Sequence, residues 1–127
     1  MANVLGIGGV FFKANDPKAL SGWYKDVLGL DMQDWGGAVL RPGPMAAHPG
    51  AATVFSPFKA DTTHFEPSTK AFMVNFAVDD LDGVLAQCAK HGVTPIKTMP
   101  DEGMGKFAHI MDPEGNKLEL WQPKPMK

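Results

Sequence analysis

The sequence predicts an α+β fold of two βαβββ modules whose curved mixed sheets face a shared cavity. Three observations lead there. An apolar strand-like run ends in an acidic cap followed by a helix, the same order returns 63 residues later, and each helix is followed by short strand-like pieces separated by turn residues.

Residues 6–14 are short, apolar and rich in strand-favouring side chains. They end at Asn15-Asp16-Pro17, where Asp suits an N-cap and Pro the first helical position. Leu20, Trp23, Tyr24, Val27 and Leu28 then follow a helical spacing that gathers them into one apolar stripe, and Gly29 supplies the stop. Residues 31–35, 38–41 and 51–58 read as three strands, broken by Gly36-Gly37 and by Arg41-Pro42-Gly43-Pro44.

The second copy starts with the strand at 71–78, capped by Asp79-Asp80. Its helix carries Leu81, Val84, Leu85 and Cys88 on one stripe and closes at Gly92. The offset maps Ala14 to Ala77, Asp16 to Asp79 and Gly29 to Gly92, which marks an internal structural repeat. Strands are expected at 94–98, 105–111 and 116–122, with Asp112-Pro113-Glu114-Gly115 turning between the last two. Residues 1–127 thus form one domain, with module one at 4–58, a linker at 59–69 and module two at 70–123. A sheet with a helix on one face needs cover on the other, so the two sheets either enclose a cavity or pack shut on a dry core.

At 127 residues, 44% hydrophobic and 20% charged, the chain is long and apolar enough to bury a core. Twelve basic against 14 acidic residues, with no basic run, exclude the charge pattern of nucleic-acid surfaces. No apolar run approaches the roughly 20 residues that span a bilayer, and no basic region precedes an apolar N-terminal stretch, so neither membrane nor export is expected. The single cysteine, Cys88, allows no intrachain disulfide and suits a reducing, cytoplasmic setting. Its place on the helical stripe makes it a core residue rather than a nucleophile.

Three stretches together resemble the vicinal oxygen chelate superfamily of glyoxalase, bleomycin-resistance and extradiol-dioxygenase-like proteins. They are Asn15-Asp16-Pro17 through Trp23-Tyr24-Lys25-Asp26-Val27-Leu28-Gly29-Leu30, then Val78-Asp79-Asp80-Leu81, then Asp112-Pro113-Glu114-Gly115-Asn116-Lys117-Leu118-Glu119-Leu120. The resemblance implies paired βαβββ modules, a cavity in the curved sheet and a homodimer. It also implies metal ligands, usually His, Gln or Glu, on the first and last strands of each module. Here those positions hold Gly9, Met73, an apolar residue near Phe55, and Glu119. One carboxylate does not hold a catalytic divalent ion, so no standard metal and no cofactor are expected.

A hairpin centred on Glu114 sets His109 opposite Glu119 and Phe107 opposite Trp121. Alternation then puts Phe107, His109, Lys117, Glu119 and Trp121 on the cavity face, with Leu118 and Leu120 turned to the helices. His109 and Glu119 are the candidate catalytic pair, either as general acid and base or as a structural ion pair. Trp35, Phe55, Met73, Asn75, Phe107 and Trp121 are the candidate ligand-binding residues, and the tryptophans suit a flat apolar wall. A third ligand such as His48 or His64 would give the pair a non-standard metal site. The loop at 99–106 is either a lid hinged on Gly103 and Gly105 or a solvated turn. Two functions follow: a binding protein for a small organic molecule, or a glyoxalase-like lyase or isomerase acting on a small carbonyl substrate through the His/Glu pair or a non-standard metal.

Overall fold

Asp16 starts the first helix, α1 (Pro17–Leu28), by accepting a hydrogen bond from the Ala19 amide, and Gly29 ends it in the left-handed conformation, φ 72°. Asp80 repeats the device for the helix of the second half, accepting from the Gly83 amide. The computed structural model describes residues 2–101 and 103–125. In chain order its elements are α1, α2 (Pro42–Ala47), β1 (Val74–Ala77), α3 (Leu81–Lys90), β2 (Lys97–Met99), β3 (Gly105–Met111) and β4 (Lys117–Pro123).

The four strands make one curved, open, mixed sheet in the order β1-β4-β3-β2. β4 runs parallel to β1 and antiparallel to β3, and β2 completes the sheet against β3. Ala108, Ile110, Leu118 and Leu120 line one sheet face and are fully or almost fully buried. They belong to one core with Leu20, Tyr24 and Val27 of α1 and Leu81 and Cys88 of α3. Cys88 has no exposed surface, and burial pushes its thiol up from the ordinary value, as a core role requires.

The fold is α+β as expected, and its two halves differ in how their strands pair. In the second half every expected strand forms. In the first half the only pairing among the described residues is the isolated bridge Met32–Ala38, and a short helix, α2, occupies the Pro-rich stretch expected as a turn. Gly6, Gly8 and Gly9 give the opening segment few side chains to pack, and Pro42, Pro44, Pro49 and Pro57 remove four backbone donors. The result is an extended, apolar covering segment, with Phe11 94% and Phe55 87% exposed.

The two halves are joined by a carboxylate clasp at the β3–β4 turn. Asp112 Oδ1 accepts from the backbone amides of Glu114 and Asn116, both at 2.9 Å. Asp112 Oδ2 accepts from the Tyr24 hydroxyl and the Asn116 side-chain amide, both at 2.7 Å. Beside it, Glu114 accepts from the amides of Asn15 and Asp16 at 2.6 and 3.0 Å, which places a negative charge at the start of α1 where the helix dipole favours it. Burial, then the hydrogen bond and charge of Asp112, hold the Tyr24 hydroxyl protonated far above its ordinary range. A Tyr24→Phe variant removes one donor from a buried carboxylate and should lose about 1.5–3 kcal/mol of stability. Thermal unfolding checks this, and an unchanged melting temperature would deny the clasp its structural role.

Candidate functional site

Strand alternation sends Phe107, His109, Lys117, Glu119 and Trp121 to the sheet face opposite the core, and the register pairs His109 with Glu119 and Phe107 with Trp121. That face lines an open trough under the extended first half, whose floor includes Asn75, Phe107, Glu119 and Trp121.

Glu119 stands at its centre. One carboxylate oxygen accepts from the Asn75 side-chain amide at 2.8 Å, and the other lies 2.8 Å from His109 Nε2. The parallel register of β1 against β4 makes Asn75 the direct neighbour of Glu119, so the first contact follows from the sheet itself. Burial pushes the Glu119 carboxyl up, but the hydrogen bonds from His109 and Asn75 and the charge interactions with His109 and His64 outweigh it. The net displacement is below the ordinary value, so the carboxylate is ionised at neutral pH.

His109 is 1% exposed, and its Nδ1 is buried with no partner among the described residues. A proton on Nδ1 would be an unsatisfied buried donor, so the favoured tautomer carries it on Nε2 and donates to Glu119. This leaves Glu119 as the acceptor that faces the trough. Each of its oxygens uses one lone pair internally and keeps capacity for a donor from outside.

Phe107 and Trp121 form the wall beside the carboxylate, with ring centroids 6.0 Å apart and planes within 7° of parallel. The Trp121 indole N–H is committed to the Met104 carbonyl at 2.7 Å, so Trp121 presents its ring face rather than a donor. That bond also fastens the loop before β3; Glu102 of the loop lies outside the described residues. Met73 is half-buried one alternation step before Asn75. Trp35, 71% exposed in the turn that follows Met32, borders the trough from the first half, whereas Phe55 is exposed and does not line it.

The linker contributes more than its composition suggests. His64 Nε2 lies 3.6 Å from the Glu119 carboxylate, and its ring stacks on Phe58 and meets His109 edge-on. Lys117 holds it there, donating from its buried ammonium to the carbonyls of His64 and Glu66 at 2.7 and 2.8 Å. Burial, then the charge of Lys97, pulls the Lys117 pKa below its ordinary value, against the pull of Glu119 and Glu66 in the other direction. No local sequence signal places His64 at the site, because the contact is made by a loop fastened through a lysine on another element. His48 is engaged elsewhere, 3.0 Å from the Pro123 carbonyl.

Gly9 and Met73 offer no side-chain nitrogen or oxygen, so these two positions do not fit the standard superfamily metal, and no step is derived through it. Replacing Lys117 with Met should free the segment at 64–66 while leaving the core paired. Amide hydrogen exchange is expected to accelerate there and not in β3 or β4, and uniform acceleration would show a global loss of stability instead.

Residues 9–121 match the family described as a glyoxalase-like domain. No curated protein matches the chain. Among solved structures it is similar to TnmS3, an antibiotic binding protein from Streptomyces sp. CB03234, at 21% identity and a TM-score of 0.50, covering 87% of this chain and 88% of that one. It is also similar to VPC_CASS1, from the mobile metagenome of V. Pseudocholerae, at 18% identity and a TM-score of 0.50, covering 94% and 98%. At these identities the likeness is one of fold.

Proposed function

We propose that this chain, which belongs to the glyoxalase-like domain family, holds a flat, largely apolar organic molecule in the trough without converting it. The observation that carries the reading is the pairing of an ionised, half-satisfied carboxylate with a stacked aromatic wall on one sheet face. A planar ring placed on that wall gains stacking and apolar burial, while one N–H or O–H reaching Glu119 fixes its orientation. The description of one structural relative as antibiotic binding is in keeping with this reading.

The bonding around His109 favours binding over proton transfer. Its Nε2 proton is spent on Glu119 and its Nδ1 is sealed from the trough, so it orients the carboxylate rather than exchanging protons with a ligand. Glu119, held below the ordinary carboxylate range, is a weak base.

The protein is proposed to work as a homodimer, because Val4, Leu5, Phe11, Val54 and Phe55 expose more apolar surface than a lone small domain ordinarily presents. Light scattering of the purified chain should give twice the 13.7 kDa chain mass. A monomer at micromolar concentration would refute that assembly.

Binding is tested by calorimetric titration with a panel of planar aromatic compounds that carry a hydrogen-bond donor. Trp121→Ala should weaken a hit by about 1–3 kcal/mol through lost aromatic area. Glu119→Gln should weaken it by about 1.5–3 kcal/mol through the lost charge-assisted hydrogen bond. A hit bound equally by both variants would place its site elsewhere. Turnover of any hit that disappears in Glu119→Gln would replace binding with catalysis.

A further inference from the structure

Three ligating side chains from separate parts of the chain converge on one point. His64 comes from the loop before β1, His109 from β3 and Glu119 from β4, and their ligand atoms lie within 4.8 Å of one another. The two ring nitrogens face the same carboxylate oxygen, at 2.8 Å from His109 and 3.6 Å from His64. We infer that this triplet binds a divalent metal ion of the zinc, cobalt and nickel class, through a donor set of which only Glu119 stands at a standard superfamily position.

The donor set decides the class. Two imidazoles and one carboxylate suit borderline transition metals, whereas magnesium and calcium favour oxygen shells. Bonds of about 2.0–2.2 Å put neighbouring ligands roughly 3–3.6 Å apart around a four-coordinate ion. The His64–Glu119 separation already has that spacing, and the His109–Glu119 pair has only to open slightly. His64 is the adjustable member, since its side chain is 38% exposed while Lys117 pins its backbone carbonyl. Three protein ligands leave at least one position facing the trough for water or for an oxygen of a bound molecule.

The surroundings also set the character of the site. A metal on Nε2 requires His109 to carry its proton on Nδ1, which is buried without an acceptor among the described residues. Losing such an outer hydrogen bond weakens metal affinity about 10–100-fold. The Lys117 ammonium, which interacts with Glu119, adds repulsion from the same sheet face. The triplet therefore loads reversibly, following the concentration of free metal, and is not a permanent structural centre.

The test uses the full chain and the metal alone, so its outcome is independent of whether an organic ligand is found. Zinc or cobalt at a hundredfold excess over its dissociation constant should raise the melting temperature by roughly 5–10 °C, with magnesium giving no shift. Equilibrium dialysis should give one ion per chain. His64→Ala changes a half-exposed loop residue, so it should fold and melt like the parent without metal and lose the shift. Glu119→Gln should lose it as well. The absence of a shift in the parent would overturn the inference, as would an equal shift in His64→Ala, which would assign the ion to other histidines such as His48 or His91.

Discussion

The Asp112 carboxylate is the constraint on which the rest of the structure depends. It is buried, and an ionised group there is tolerable only if its lone pairs are filled. Four donors fill them: two backbone amides of its own turn, the Asn116 side chain and the Tyr24 hydroxyl. The first three fix the β3–β4 hairpin, and with it the register that sets His109 against Glu119. The fourth reaches across to α1, so the same charge that shapes the turn draws in the helix of the other half. Glu114, two residues on, completes the join by receiving the first amides of that helix.

Glu119 is governed by the same physics with a different outcome. Its burial is partial and its donors are two instead of four, so it keeps both its charge and its appetite for a further partner. The contrast between a saturated carboxylate at the turn and an unsaturated one in the trough separates what holds the fold from what receives a ligand. Lys117 mediates between them. It lies on the trough face of β4, yet its ammonium is spent on loop carbonyls, bringing His64 to the site as a consequence of how the loop is fastened.

Where strands alternate cleanly, the sequence predicted the structure closely. Residues 105–111 form β3 as read, and the partners of His109 and Phe107 follow from one turn and a period of two. Both long helices were legible from their Asp caps and terminal glycines, and Cys88 from its place on the stripe. The first half was less legible because its apolar residues are interleaved with Gly and Pro, so hydrophobicity signalled strands that the backbone does not pair. His64 was illegible for another reason: its position depends on a hydrogen bond from a residue 53 places away, and no local period encodes that.

The clasp also bears on how such chains diversify. Tyr24, Asn15, Asp112, Glu114 and Asn116, which supply much of the resemblance to other members, are bonded mainly to one another. Among the resembling residues of β4, Lys117 and Glu119 lie on the trough face, and of the two only Glu119 keeps acceptor capacity for a ligand. Drift at Met73, Asn75, His109 or Trp121 can therefore reshape what the concavity accepts while the architecture stays intact. Common ancestry, read from the clasp, says little about cargo. Two chains with the same fastening are free to carry unrelated molecules, and their differences have to be sought on the opposite side of the sheet.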